Sequence, residues 1–237
     1  MKTFLAWGLW LTITLVIAGA FLYAPLAEGF LGHSSRILFF HVPMAWVSFI
    51  AFMHAGVASA FYLARRRDRF DRSAVSAVEL GLVFCILATV TGSMWAKTMW
   101  GAFWNWDPRQ TTIVMTLVFY AAYLALRGAV QDPEREARLS SAYAILGMVV
   151  TPFFLFILPR LTFSLHPSPV VNTQGTVEME SRMLQVLIVS GLAFTALYFW
   201  MHNLRSRLRK LEDRAAHALD GHDFDRHDME IEEARSV

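Results

Sequence analysis

Of the 237 residues only one is a cysteine, Cys85. A lone cysteine excludes a disulfide framework, a cysteine-rich zinc site and haem attached through a C-x-x-C-H motif. No glycine is followed by a lysine anywhere in the chain, so it has no Walker A loop to power itself with ATP. Lysine supplies only three of the 21 basic residues and the formal net charge is +2, which leaves no basic footprint for nucleic acid. Charge of either sign is scarce, at 17% of residues, where about 25% is usual for a soluble domain. The apolar share is 56%, against a usual share of about 45–50%. A soluble core would have to hide too much Phe, Leu, Trp and Met. The composition is that of an all-α integral membrane protein.

A bilayer core about 30 Å thick needs roughly 20 helical residues. Residues 4–27, 37–64, 80–96, 110–126, 139–159 and 183–204 are free of charge. Each must be helical, because an isolated strand in lipid leaves its backbone groups unpaired. A six-transmembrane helix bundle over 1–204 is therefore predicted, with spans at about 4–24, 37–64, 79–96, 110–127, 140–159 and 183–203, and a cytoplasmic tail at 205–237. The first stretch has features of a signal peptide, namely Lys2 and the small run Ala18-Gly19-Ala20. It reads as a retained span because its continuous apolar length exceeds a usual signal h-region. Pro152 and Pro159 should kink the fifth span.

Lys and Arg near the span ends divide thirteen to five between the two sides. The positive-inside rule then puts both termini in the cytoplasm. Loops 25–36, 96–110 and 160–182 face outward. The tail starts basic and turns acidic from Asp220, with His217, His222 and His227 at intervals of five. That spacing does not stack side chains on one helix face, so the tail reads as solvated or partner-docking.

Four of the eight tryptophans, Trp95, Trp100, Trp104 and Trp106, fall within twelve residues of the loop at 96–110 and its edge. Interfacial belts also collect tryptophan, but belts spread over all helix ends, and the other outward loops have none. In a helical loop Trp100 and Trp104 would share a face, forming a platform for a large planar apolar ligand. Asp107-Pro108-Arg109-Gln110 also has the pattern of an N-cap, a proline at N1 and a glutamine at N3. Histidines cluster in the same region. His41 opens the second span before Pro43, and an ionisable group at a membrane edge is costly enough to suggest function. His166 lies in the third outward loop, and His33 competes with His41. Each alone is more often a hydrogen-bonded structural residue. Together with the aromatic wall and outward Arg36, Lys97, Arg109, Arg160 and Arg182, they suit an iron porphyrin, with two axial positions for imidazole and two propionates. His54 reads as a packed, hydrogen-bonded residue, His202 as an interface residue at the inner edge, and Cys85 as a small packing residue. Glu178 and Glu180 read as solvated loop charges.

Trp100-Gly101-x-x-Trp104-x-Trp106-Asp107-Pro108-Arg109 resembles the tryptophan-rich WWD signature of the haem-handling proteins of cytochrome c maturation. Six spans and His41-Val42-Pro43-x-Ala45-Trp46 make residues 1–204 similar to the CcmC family, also called haem exporter protein C. The resemblance implies a site on the periplasmic face of the bacterial inner membrane. It implies non-covalent haem b in transit, with His41 and His166 as axial ligands of the iron. Trp100, Gly101, Trp104, Trp106, Asp107 and Arg109 are the implied WWD contacts. The implied partners are the haem chaperone CcmE, the CcmA/CcmB ABC transporter and CcmD, besides membrane lipid. A delivery protein rather than an enzyme is implied. Phe103 stands where many members have another Trp, and the surroundings of His166 match the family less closely.

Two other classes compete. A membrane oxidoreductase with a structural haem or quinone would need a second histidine pair at depth, where only His54 is expected. A purely structural assembly subunit would bind no ligand at all.

Overall fold

The computed structural model describes residues 2–28, 31–167 and 179–235. Among these there is no β-strand, and six helices are long and apolar enough to cross a membrane. They are α1 (Lys2–Ala18), α2 (Leu38–Arg65), α3 (Asp68–Trp100), α4 (Pro108–Ala129), α5 (Pro133–Pro152) and α6 (Ser181–Arg235). The helices overrun the charge-free stretches. α3 begins eleven residues before the expected 79, because Asp68 and Asp71 complement its N-terminal dipole. α6 passes into the tail without a break; the side chains of His217, His222 and His227 lie outside the described residues, as does Glu178.

Local chemistry sets the ends. Arg66 turns left-handed at φ 50° and donates its N–H to Tyr62 O, which closes α2. Gly101, at φ 79°, closes α3 in the same way on Lys97 O, a conformation glycine adopts without steric cost. Asp107 and Asp132 cap α4 and α5, each followed by proline at the first helical position, where no N–H is needed. Past Pro152 the fifth helix widens into a π-helical turn at Phe153–Ile157 and tightens into a 3₁₀ turn at Leu158–Arg160. The expected disturbance of this span is thus a change of helix type.

Pro43 sits inside α2 and has no N–H for the carbonyl of Phe39. Ser190 Oγ on α6 donates to that carbonyl instead. The exchange ties α2 to α6 at the level of His41. Elsewhere α2 packs against α3 and α5 as the central element. Phe52 on α2 stacks on Tyr120 of α4 with ring centroids 3.7 Å apart. Gly81 makes room for this, since a Cβ there would lie 2.6 Å from the Phe52 ring. Cys85 is free and buried in this cluster, in keeping with a packing role.

The two ends of the bundle differ in chemistry. At the arginine-rich end, Arg127 forms a fork on Asp71 (2.7 and 2.9 Å) and reaches Glu136 at 2.7 Å, joining α3, α4 and α5. Arg205 and Arg209 of α6 both hold Glu79 of α3, at 2.8 and 2.5 Å. The opposite end carries the tryptophan-rich segment and a large cavity.

Candidate ligand site at the tryptophan-rich end

The cavity has a volume of about 1000 Å³ and lies among the segment 25–37, α2, α3, α4, the turns that follow α5 and the start of α6. That is the upper end of the usual range for ligand pockets, roughly 300–1,000 Å³. His41 lines it from α2, Trp95 and Trp100 from α3, and Trp104 and Arg109 from the connection into α4. His166 enters from the loop after α5. Two of the expected axial histidines, two of the expected tryptophans and Arg109 therefore meet on one surface, although they come from four separate parts of the chain.

The hydrogen bonds define both imidazoles. His41 Nδ1 lies 3.1 Å from Thr91 Oγ1. The Thr91 hydroxyl proton is already directed at the carbonyls of Leu87 (2.8 Å) and Ala88 (3.1 Å). With its proton on a carbonyl Thr91 is free to accept, an arrangement that puts the proton on Nδ1 and leaves the lone pair on Nε2. His166 Nδ1 lies 3.0 Å from Pro167 O, which can only accept. Here too Nε2 is the lone-pair nitrogen. Burial pulls the His166 pKa below its ordinary value of about 6.5, with Arg109 adding to the shift against Pro167 O and Asp107. Gly92 faces the His41 ring, and a Cβ there would lie 2.9 Å from Cε1. A metal-binding imidazole needs its second nitrogen held in this way.

Asp107 is buried and does not line the cavity. Its carboxylate accepts the Arg109 N–H at 2.9 Å as the helix cap. It also accepts Ser164 Oγ (3.0 Å) and the Leu165 N–H (2.7 Å). Ser164 Oγ in turn accepts the His166 N–H at 3.1 Å. Asp107 thereby positions the segment that carries His166. The expected N-cap and N1 proline start α4, while Gln110 at N3 turns to the loop, where its Oε1 accepts from Asn105 N–H (3.1 Å) and its amide donates to Phe103 O (3.2 Å). Gln110 braces the loop rather than the helix.

The loop is not helical between Gly101 and Asp107, so Trp100 and Trp104 line the cavity from the two sides of a turn instead of from one helix face. Trp95 was missed as a site residue by sequence reasoning. It packs edge-on against Trp100 (5.2 Å between centroids) and against the His166 ring at 5.9 Å. Its signal was its place in the same twelve-residue run as Trp100, Trp104 and Trp106. Trp106 stands apart. It is 76% exposed, lies off the cavity and sits at φ 59°, an uncommon conformation for a bulky residue. Gly101 shapes the turn and does not line the cavity either.

Of the five cations expected to face outward, Arg109, Arg160 and Arg182 line the cavity. Arg109 Nε is buried without a hydrogen-bond partner among the described residues. Arg36 is consumed by the carbonyls of Ala20 and Ala24, and Lys97 by Gly101 O at 2.8 Å. His33 is exposed and off the cavity. Glu180 is more than a solvated charge, because it accepts the N–H groups of Arg182 (2.7 Å) and Met183 (3.0 Å) at the start of α6.

His54 forms hydrogen bonds to Tyr198 (2.8 Å) and Ser73 (3.2 Å), as expected of a packed residue. His202 lies against it with ring centroids 4.4 Å apart. The pair is in direct contact and leaves no space for a porphyrin between the rings.

Known proteins of similar sequence identify the family. The chain is 33% identical over 188 residues to Heme exporter protein C of Bradyrhizobium diazoefficiens, covering 76% of this chain and 71% of the relative. It is 27% identical over 215 residues to Heme exporter protein C of Rhodobacter capsulatus, covering 88% of each. A ccmC-like mitochondrial protein of Marchantia polymorpha is 30% identical over 168 residues, covering 71% of this chain and 69% of the relative. The family profile of Heme exporter protein C matches residues 1–219, which span every element of the cavity. With an all-helical fold, six membrane-length helices and this match, the chain belongs to the Heme exporter protein C (CcmC) family.

Proposed function

We propose that this protein binds haem b non-covalently in the cavity and delivers it to the haem chaperone CcmE, in the haem export step of c-type cytochrome biogenesis. The supporting observation is the pair of cavity-lining imidazoles, His41 and His166, each with Nδ1 paired and Nε2 left as a lone pair. Haem is the cargo, and the residues fit it. His41 and His166 supply axial ligands, Trp95, Trp100 and Trp104 cover apolar surface, and Arg109 has an unpartnered donor for a propionate. Gly101 and Asp107 act on the site through the loop, and Trp106 faces outward, where a partner would meet it.

The excess of arginine at the opposite end supports a periplasmic site, with both termini in the cytoplasm of a bacterium and the bundle in its inner membrane. With no P-loop in this chain, ATP hydrolysis falls to the CcmA/CcmB transporter, with CcmD as a further partner. The test is the absorption spectrum of detergent-purified wild type beside His41→Ala and His166→Ala. A Soret band with low-spin features that weakens in both variants supports the reading. A colourless wild type from haem-replete cells, or full retention of the band in both variants, rejects it.

A further inference from the structure

A second cavity, of about 230 Å³, lies at the arginine-rich end between the start of α3 and the middle of α6. Arg69 and Arg72 line it from α3, and Arg207 and Lys210 from α6, with His202 and Ser206 beside them. Charges that only set topology need to lie near the span ends, and nothing requires them to converge. Here α6 sorts its cations by face. Arg205 and Arg209 turn to Glu79 of α3, while Arg207 and Lys210 turn into the cavity. Arg69 and Arg72 occupy the first turns of α3, where the helix dipole favours carboxylates over cations. Of the acidic residues in that turn, Asp71 is committed to Arg127. Among the described residues the one carboxylate paired with a lining cation is Asp213, half-exposed and 3.2 Å from Arg72 Nη1.

The depth of the cavity is also informative. The charge-free stretch of α6 ends at Leu204, and α3 carries no further cation between Arg72 and Lys97. The cavity therefore sits where both helices leave apolar surroundings for the headgroup region. Trp200 and Leu204, 37% and 47% exposed, lie on α6 on the bilayer side of Arg207. Successive spacings of four and three residues put Trp200, Leu204 and Arg207 on one face, so an apolar stripe leads from the cation toward the membrane core. A cluster of cations next to an exposed apolar stripe fits a phosphate that carries acyl chains.

We infer that this cavity binds the phosphate of an anionic membrane lipid, with Arg69, Arg72, Arg207 and Lys210 around the headgroup and Trp200 and Leu204 along an acyl chain. The site is separate from the haem cavity, and the inference does not depend on the proposed function. It is tested by native mass spectrometry and thermal melting of the full-length detergent-purified protein with phosphatidylglycerol, phosphatidylcholine or inorganic phosphate. Phosphatidylglycerol is expected to stay bound and raise the melting temperature, while the other two do not. Arg69→Gln with Lys210→Gln, and Arg207→Gln alone, should weaken that binding by roughly fivefold per cation removed. Arg135→Gln with Arg138→Gln makes the same charge change on an exposed surface and should leave it unaltered. An equal loss in this control pair, or equal binding of phosphatidylcholine, overturns the site. An equal effect of inorganic phosphate overturns its assignment to a lipid.

Discussion

Asp107 accepts the backbone N–H of Leu165 at 2.7 Å, so the residue that caps α4 also moors the segment bearing His166. One carboxylate thus couples the tryptophan-rich loop to the second proposed iron ligand. Asp107→Ala removes the cap, at about 0.5–2 kcal/mol, and unties Ser164 and Leu165 together. The variant is expected to retain haem through His41 and to show a five-coordinate, high-spin spectrum. Asp107→Asn keeps a capping oxygen and should fall between the two. A low-spin wild-type spectrum in purified Asp107→Ala would show that the segment is held by other means.

The support under His41 gives a second prediction. Thr91 fixes the proton on Nδ1, and Gly92 leaves room for the ring. Loss of such an outer partner commonly costs about 10–100-fold in metal affinity. Thr91→Val is expected to weaken haem binding within that range, and Thr91→Ser to restore it. Gly92→Ala places a methyl group 2.9 Å from His41 Cε1 and should displace the imidazole with little effect on helicity. Haem titrations followed by absorbance, with circular dichroism alongside, separate these outcomes. Equal affinity in Thr91→Val and wild type removes Thr91 from the site.

What could be read from the chain in advance follows the range of the interactions. The charge-free stretches and the cap at Asp107-Pro108 depend on neighbours within a turn, and each was legible; the stop at Gly101 was not read, and the helical loop considered through Trp104 breaks there. The path of Asp107 to Ser164 was not, because no periodicity links residues on two separate loops. Arg36 and Lys97 looked like free cations, yet each finds a nearby backbone carbonyl. Unpaired carbonyls at helix ends attract any cation within reach, and the sequence does not show which cation wins. The contact of His54 with His202 was hidden for the same reason as the Asp107 tether. Trp106 was grouped with Trp104 by spacing, and only the left-handed backbone at that position separates them.

The His166 imidazole supplies a pH dependence. Burial holds its pKa below the ordinary value of about 6.5. A base depressed on folding binds fewer protons folded than unfolded, so stability rises with pH across the interval between the two values. The contribution is complete above about pH 6.5 and is lost as pH falls through that value toward the lower folded pKa. Protonation also removes the Nε2 lone pair, so haem binding is lost in the same direction. Acidification from pH 7.5 to pH 5 is expected to convert the low-spin band, reversibly. In His166→Ala the spectrum starts without that ligand and this conversion should be missing. A conversion of equal size in the variant would place the titrating group elsewhere.

Trp104 and Trp106 are the last pair to separate. Their rings meet edge to face with centroids 5.8 Å apart, yet only Trp104 lines the cavity. Trp106 is 76% exposed and holds a positive φ that a bulky side chain adopts at a cost. A strained, exposed indole beside a ligand site suits a contact with a protein that takes the ligand away, since tryptophan is enriched among residues that dominate interfaces. Trp104→Leu is expected to weaken the Soret band of the purified protein. Trp106→Leu should leave the band unchanged and lower the amount of haem-loaded chaperone in cells by roughly tenfold, the loss of one interface anchor. The two readouts, absorbance of the purified variant and chaperone loading in cells, must therefore move apart. A Soret loss in Trp106→Leu as large as that in Trp104→Leu would put Trp106 in the haem site and remove the argument for an outward-facing contact.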